Sequence, residues 1–295
     1  MLMGSGTGIL LVDKPAGVTS HDVVARARKA RGTRKIGHAG TLDPMATGLL
    51  VLGIGPATRL LTYLVGLDKT YTATIRLGQS TDTDDADGQI TARTDASGLA
   101  PDAIAAGVAR LTGPIAQVPS RVSAIRVNGR RAYDLARAGE SVELAAREVV
   151  ISRFEVIAAR EHDGCRDLDV VVDCSSGTYI RALARDLGAD LGVGGHLIAL
   201  RRTRVGPFAV SDAASVGDLA AATLRTPADV AVAVLPALAA DADQARDLRQ
   251  GKRVAGLAFD GPHAAAIAPD GALIGIVERR GTDIKSAMNM PEEPA

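Results

Sequence analysis

The sequence predicts an α+β protein with a mixed, mainly antiparallel sheet. Three observations carry this prediction: apolar runs of strand length, one stretch with regular alternation, and helical stretches that do not alternate one for one with the strands. The chain has 295 residues, which corresponds to one large domain with a small companion or to two ordinary domains. Hydrophobic residues make up 46% and charged residues 23%, a globular rather than a disordered composition.

The first elements follow from local signals. Residues 9–12 form a short apolar run that ends in a turn containing Pro and Gly, which predicts a buried strand. Thr19 or Ser20 offers an N-cap for a helix over residues 22–30, which ends at Gly32. Residues 70–77 alternate between apolar and polar side chains, as in a strand that is buried on one face.

The rest of the chain continues with elements of both kinds. The Ala-rich stretch 212–240 predicts helix, with breaks at Pro227 and Pro236. A composition shift places a domain boundary near Leu235, and a Pro-Asp-Gly turn at 269–271 predicts short strands beside it. Further strands are expected at 148–158 and 168–174, and further helices at 57–67, 103–111 and 179–191.

Charge and cysteine usage exclude some classes of protein. Lys plus Arg equals Asp plus Glu at 34 each, so a nucleic-acid surface would require uneven placement of charge. Cys165 and Cys174 are followed by no histidine pattern, which predicts neither a disulfide framework nor a zinc site. No signal peptide pattern and no apolar run of about 18 residues is present, so we expect a cytoplasmic protein without a membrane span.

Residues 37–50, GHAGTLDPMATGLL, are the most informative segment. Their glycines and Pro44 forbid a regular helix or central strand, and Pro44 holds Asp43 away from helical backbone angles. A loop anchored at an apolar strand is a usual place for catalytic residues, although an Asp before Pro is more often only a turn residue. His38 is likewise more often a turn or core histidine. Ligand spacing for a metal and a serine nucleophile motif are both missing.

The same segment resembles the catalytic signature of the TruB family of tRNA pseudouridine synthases, Gly-His-x-Gly-x-Leu-Asp-Pro-x-Ala-x-Gly-x-Leu. The resemblance covers about residues 9–210. It implies the pseudouridine synthase fold, a curved and mainly antiparallel mixed sheet flanked by helices, in a catalytic domain over 1–235. It also implies an RNA-gripping insertion at about 115–147 and a short PUA-like RNA-binding domain at 236–295. The other similar stretches, in the family's order, are 11–22, 69–73, 119–125, 132–139, 174–188 and 200–206.

The resemblance gives Asp43 the role of the catalytic nucleophile. Conversion of uridine to pseudouridine breaks the C1′–N1 bond, rotates the base and makes a C1′–C5 bond, and no metal or cofactor is expected. A carboxylate attacks either C1′ of the ribose or C6 of the uracil, and a base later removes the C5 proton. The sequence leaves both points of attack open.

Substrate-binding roles are carried over position by position. Tyr71 matches a tyrosine that stacks on the flipped base, although on its own it reads as a core residue. Arg181 matches an arginine that pairs with the nucleophile and would hold that carboxylate charged. The remaining matches are Tyr179 and Leu200 in the uracil pocket, His38 at the RNA, and Lys14 as a support of the catalytic loop.

The expected activity is isomerisation of uridine 55 in the T loop of tRNA, by a monomer that needs no protein partner and contacts the T stem-loop and the acceptor stem. Two alternatives remain: a catalytically idle tRNA-binding chaperone, and a synthase that works with guide RNAs on another substrate. The segment 82–88 is acidic, but its spacing is wrong for an EF-hand and predicts a turn. Basic residues that could neutralise RNA phosphates are Arg26, Arg28, Lys29, Arg31, Arg34, Lys35, Arg121, Arg126, Arg130, Arg131, Arg201, Arg202 and Arg204.

Overall fold

The computed structural model describes residues 6–120, 126–127, 130–131 and 144–291. The chain divides into two compact units. The first comprises Met1–Pro44, Gly48–Gly66 and Val205–Ala295, and the second comprises Met45–Thr47 and Leu67–Arg204. The expected RNA-gripping insertion lies largely outside the described residues. Within it the structure describes 115–120, the two-residue strands β8 (Arg126–Val127) and β9 (Arg130–Arg131), and 144–147.

The first unit begins with three antiparallel strands. Strand β1 (Gly8–Lys14) pairs with β3 (Thr47–Ile54), and β2 (Ile36–Ala39) pairs with the same β3. Apolar side chains of these strands face helix α1 (Ser20–Arg31) and form one core with it. Since β2 and β3 include the two ends of residues 37–50, this core fixes the backbone on both sides of residues 40–46.

Helix α1 ends where its sequence signals predict. Thr19 is the N-cap and forms a capping box with Asp22, which decides between the two expected caps. Gly32 closes the helix in the left-handed conformation, with φ of 63°, which a residue with a side chain adopts only at a cost. The buried side of the helix carries Val23 and Val24.

The segment after β3 is less regular than expected. Instead of one helix over 57–67, a 3₁₀ helix at Gly55–Leu60 precedes a short helix α2 (Leu61–Val65). Pro56 stands in the first turn and has no backbone N–H to donate, which suits a tight start of this kind.

A small β domain lies near the C-terminus of the described chain, as expected. Its four strands are β15 (Ala237–Ala239), β16 (His263–Ile267), β17 (Leu273–Arg280) and β18 (Asp283–Asn289). They lie in this order in the sheet, with a parallel pair β15–β16 and antiparallel pairs after it. The turn at 269–271 is present between β16 and β17, and Gly271 takes a φ of 83° there. The helices of this region are α5 (Pro227–Val234) and α6 (Ala242–Arg249).

The prediction of helix over 212–240 is mostly wrong. Only α5 is helical in this stretch, apart from a 3₁₀ turn that ends at Asp212. A short strand β13 (Phe208–Ala209) comes just before this stretch, and β14 (Ala214–Ser215) lies within it. Strand β14 pairs in parallel with Val12 and Asp13 of β1. The pairing of β14 with β1 and the pairing of β15 with β16 override the helix propensity of alanine.

The second unit is built on an antiparallel stack of strands. Its strands are β4 (Lys69–Leu77), β7 (Gly113–Gln117), β10 (Arg147–His162), β11 (Cys165–Cys174) and β12 (Gly195–Val205). Their order in the sheet is β12-β4-β11-β10-β7, and β4, β11, β10 and β7 pair antiparallel. Two bulges interrupt the β10–β11 ladder and bend the long strand β10. The other elements of the unit are β5 (Gln79–Thr81), β6 (Ile90–Arg93), α3 (Pro101–Arg110) and α4 (Ile180–Asp190).

Strand β4 confirms the alternation read from the sequence. Tyr71, Ala73, Ile75 and Leu77 are buried, whereas the threonines between them are exposed or half-buried. Parallel and antiparallel pairs therefore coexist with flanking helices, which confirms the predicted α+β class. Among the described residues, no helix is long and apolar enough to cross a membrane.

Candidate active site

The seven expected site residues are divided between the two units. The first unit contains the expected nucleophile together with a histidine and a lysine. The second contains the tyrosines, the arginine and the leucine that are expected around the uracil. The two sets are Lys14, His38 and Asp43, and Tyr71, Tyr179, Arg181 and Leu200.

A serine holds the residue before Asp43. Ser20, the first residue of α1, is 1% exposed, and its Oγ accepts a hydrogen bond from N of Leu42 at 2.9 Å. The same Oγ donates to O of Leu42 at 3.1 Å. Both backbone polar groups of Leu42 are therefore satisfied by one buried hydroxyl, which fixes the peptide groups on either side of that residue.

A lysine and a glycine hold the residue after Asp43. Lys14, at the end of β1, is completely buried, and its Nζ donates to the carbonyl oxygens of Pro15, Val18 and Pro44 at 3.0, 2.8 and 3.3 Å. O of Pro44 also accepts from N of Gly17 at 2.9 Å. The buried ammonium thus binds carbonyl groups of two loops, one of which contains the residue after Asp43.

The loop formed by Leu42, Asp43 and Pro44 is called the anchored loop below. Its two outer residues are held through backbone atoms, while Asp43 between them is half-buried. Since none of these anchoring bonds uses the Asp43 carboxylate, the side chain is presented by a backbone that is fixed independently of it. This arrangement suits a nucleophile or a charged group whose position matters.

His38, on β2, lies in the same unit and makes an aromatic contact with His21 of α1. The two ring centroids are 5.5 Å apart and the rings are nearly perpendicular, at 85°. Such an edge-to-face arrangement is favourable for aromatic rings. His21 follows Ser20 directly, so one turn of helix touches both the anchored loop and His38.

Tyr71 lies on β4 opposite Val172 of β11 and is almost fully buried. Two residues earlier on the same face, Lys69 is also buried. Burial, and then the charge of Arg202, lower the pKa of Lys69 to about 8. The face of β4 that carries Tyr71 is therefore a low-dielectric surface on which charge is costly.

Tyr179 immediately precedes α4 and is fixed through its backbone. Gln117, a buried residue at the end of β7, accepts from N of Tyr179 at 2.8 Å and donates to O of Tyr179 at 3.1 Å. One amide side chain therefore satisfies both backbone groups of Tyr179. Because the backbone of Tyr179 is held, the position of its ring depends only on the side-chain torsion angles.

Arg181, in the first turn of α4, forms a buried ion pair with Asp85. Nη1 of Arg181 lies 3.2 Å from Oδ2 of Asp85, and the two side chains are 3% and 6% exposed. The same Nη1 donates to O of Thr83 at 3.0 Å. Asp85 also accepts from Oγ1 of Thr83 and from N of Asp87, so the carboxylate is well hydrogen-bonded.

The acidic segment 82–88 is a turn, as predicted, but it also has a role that the sequence did not reveal. Asp84 lies 3.3 Å from Nη1 of Arg185, one helical turn after Arg181. Two consecutive carboxylates of the turn thus pair with two arginines on one face of α4. The turn orients the arginine that the resemblance places in the site.

Leu200, on β12, is buried, and its carbonyl oxygen accepts from Oγ1 of Thr47 at 3.5 Å. Among the basic residues expected to face RNA, Arg202 is 1% exposed and so does not belong to the surface. Arg204 pairs with Asp173. The residues that sequence reasoning missed are Ser20, Asp85 and Gln117, and the only available signal was that each is a polar residue beside a motif.

Three family models match consecutive parts of the chain. The model of the TruB family pseudouridylate synthase N-terminal domain matches residues 28–180. The tRNA pseudouridylate synthase B C-terminal domain matches 181–243, and the tRNA pseudouridine synthase II C-terminal model matches 235–291.

Similar proteins agree with these models. A protein of Leifsonia xyli subsp. xyli (strain CTCB07) named tRNA pseudouridine synthase B is 54% identical, with 98% of each chain covered. One of the same name from Nocardia farcinica (strain IFM 10152) is 58% identical, covering 93% of this chain and 90% of that one. A solved structure of an H/ACA RNP bound to a substrate RNA containing 2′-deoxyuridine has the same fold, with a TM-score of 0.72 at 23% identity over 97% of this chain and 85% of that one.

The fold and these matches define a pseudouridine synthase. The chain belongs to the TruB family of pseudouridylate synthases. It is therefore an isomerase that converts uridine to pseudouridine in tRNA, and its small C-terminal β domain is PUA-like.

Proposed function

We propose that this enzyme modifies uridine 55 in the T loop of tRNA and that Asp43 is its nucleophile. The observation that carries the proposal is the anchored loop. Ser20 holds Leu42, and Lys14 with Gly17 holds Pro44, so the carboxylate between them starts from a fixed backbone. A fixed starting position lowers the entropic cost of bringing a nucleophile to a reacting carbon.

The remaining roles follow the same reaction. Asp43 attacks C1′ or C6 of the flipped uridine, the C1′–N1 bond breaks, the uracil rotates, and C5 bonds to C1′. The C5 proton leaves, N1 is protonated, and the carboxylate is released unchanged, so no oxidant, metal or cofactor is consumed. The pocket residues are Tyr71, Tyr179 and Leu200, with His38 at the RNA and Arg181 as a counter-charge to Asp43.

The organisation of the chain fits this substrate. A catalytic domain over 1–235 with an insertion at about 115–147 would hold the T stem-loop, and the domain over 236–295 would reach toward the acceptor stem. We expect the protein to act as a monomer in the cytoplasm, where its tRNA substrate is made and matured. Base flipping costs less in a loop than in a paired stem, which supports a T-loop target.

Tritium release tests the chemistry and the residue together. The protein is incubated with an unmodified tRNA transcript that carries tritium at C5 of its uridines, and released tritium is counted. Sequencing of the product locates the modified position. The wild type should release one tritium per tRNA, at position 55, and Asp43→Asn should release none while it still binds the transcript.

Each outcome separates the alternatives. Undiminished release by Asp43→Asn would reject Asp43 as the nucleophile. Tight tRNA binding without release by the wild type would favour a tRNA-binding chaperone. Release from another uridine would reject the proposed position while leaving the chemistry intact.

A further inference from the structure

Several arginines of this electrically neutral chain form ion pairs with carboxylates of the same chain. These ion pairs lie on the surfaces of both units, and they leave little net charge for a polyanion to contact. Examples are Arg76, Arg110, Arg153, Arg160, Arg225 and Arg280.

A cluster of four exposed basic residues lies outside these ion pairs, and we call it the α1 patch. It consists of Arg26 and Lys29 on α1 and of Arg34 and Lys35 in the turn that leads to β2. All four are exposed, and within the described ranges none of them forms an ion pair with a carboxylate. Arg26 is attracted by the exposed carboxylate of Asp22, one helical turn earlier, but the four cations within ten residues repel one another.

The patch is also rigidly presented. Arg26 and Lys29 are exposed, whereas Val23 and Ala27 belong to the buried face of the same helix. The turn is held by hydrogen bonds from N of Ile36 to O of Arg34 and from N of Gly55 to O of Lys35. Basic side chains at a helix C-terminus favour the helix dipole, but this does not account for Arg34 and Lys35, which lie beyond the helix end at Gly32.

We propose that the α1 patch is a docking surface for consecutive phosphates of the substrate RNA. Neighbouring cations on one helix face lie about 5–6 Å apart, which allows separate contacts to successive phosphates of a strand. Ser20 at the other end of α1 holds the anchored loop, so phosphate contacts at the patch would set the register of the RNA relative to Asp43. This inference rests on the proposed RNA chemistry and names a surface for it.

Two related bonds narrow the patch to these four residues. Arg28 donates to O of Ile36 at 2.9 Å, and Arg31 donates to O of Ala222. Both guanidinium groups thus tie α1 to its own unit. The six basic residues of this stretch therefore divide into two that hold the helix and four that face solvent.

The test compares two full-length variants with the same change in net charge. The patch variant carries Arg26→Gln, Lys29→Gln, Arg34→Gln and Lys35→Gln. The control carries Arg110→Gln, Arg153→Gln, Arg160→Gln and Arg280→Gln, which removes four exposed arginines that are paired. The affinity for an unmodified tRNA transcript is measured from 50 to about 300 mM salt, and kcat is measured at saturating tRNA.

The patch variant should lose at least about tenfold in affinity at low salt, and the slope of log K against log salt should fall by about 3, since each phosphate contact contributes about 0.7–0.9. Its kcat should stay within about twofold of the wild type. Equal changes in both variants, or an unchanged salt slope in the patch variant, would overturn the proposal.

If the fourfold variant unfolds, the double variant Arg34→Gln with Lys35→Gln, which lies outside the helix, is used instead. It should lower the salt slope by about half as much. Absence of tritium release from the wild type would instead overturn the proposed function. The affinity and salt-slope measurements would still decide whether the α1 patch binds RNA.

Discussion

Ser20 and Leu42 exchange two hydrogen bonds through a single hydroxyl group. Oγ of Ser20 accepts from N of Leu42 at 2.9 Å and donates to O of Leu42 at 3.1 Å. The pair joins the first residue of a capped helix to the residue before the proposed nucleophile. The position of Asp43 is therefore coupled to the packing of α1 against the sheet.

Ser20→Ala should lower kcat by more than a comparable loss of stability elsewhere in the chain would. The change leaves both backbone groups of Leu42 buried without the hydroxyl, at a cost of about 1–3 kcal/mol, and lets the anchored loop shift. A displacement of about 1 Å at a nucleophile can cost on the order of 100-fold in rate, so kcat for tRNA should fall by about 10- to 100-fold with KM nearly unchanged. Thr226→Ala, which removes the N-cap of α5, is the matched control because it costs about 1 kcal/mol of stability far along the chain. An equal loss of kcat in both variants would contradict a positioning role for Ser20.

Asp85→Asn should destabilise the folded protein. It leaves the Arg181 guanidinium buried without its carboxylate at 3.2 Å, and breaking a buried pair of this kind costs about 3–5 kcal/mol. The free energy of unfolding, measured by denaturant titration, should fall by at least about 2 kcal/mol. Asp190→Asn breaks the exposed pair with Arg110 and should change it by less than about 1 kcal/mol. Similar values for the two variants would show that Asp85 does not support Arg181.

Lys69 should make the protein more stable as the pH rises from about 8 to about 10.5. Burial, and then Arg202, depress the pKa of Lys69 to about 8 in the folded chain, whereas the unfolded value is 10.5. Between these values the unfolded chain binds more protons, so the free energy of unfolding increases with pH. The gap between the two pKa values corresponds to about 3 kcal/mol of unfolding free energy when it is fully expressed.

Lys69→Met isolates this contribution, since other groups titrate in the same range. The difference in unfolding free energy between the wild type and Lys69→Met, measured at pH 7 and pH 10, should change in favour of the wild type at pH 10. A difference that is independent of pH would mean that Lys69 keeps its ordinary pKa.

Gln117→Met should weaken substrate binding through Tyr179. The amide of Gln117 bonds both backbone groups of Tyr179, at 2.8 and 3.1 Å, and a thioether cannot replace these bonds. We expect KM for tRNA to rise about 5- to 20-fold as the residue before α4 becomes mobile, in line with about 1–2 kcal/mol of lost preorganisation. Gln89→Met, at an exposed position, provides the control and should leave KM unchanged. A normal KM for Gln117→Met would separate Tyr179 from uracil binding.

The parts of the fold that were predicted correctly have local causes. Thr19, Asp22 and Gly32 define α1 within one stretch of sequence, and the alternation of β4 follows from a sheet with one buried face. Residues 214–215 were predicted wrongly because their pairing with β1 is a long-range contact that no local pattern carries. For the same reason, Ser20 and Asp85 could not be assigned to Leu42 and Arg181 from the sequence, although the resemblance named Asp43 and Arg181 themselves.

The anchored loop is held through backbone atoms of Leu42 and Pro44, and none of these hydrogen bonds involves the side chain of Asp43. The side chain at the proposed nucleophile can therefore be exchanged without loss of these backbone bonds. Asparagine, glutamate or cysteine at residue 43 would inherit the same backbone, so such variants are suited to capture RNA substrates in a native-like complex. The same independence allows this loop to persist in descendants that lose the chemistry but retain RNA binding.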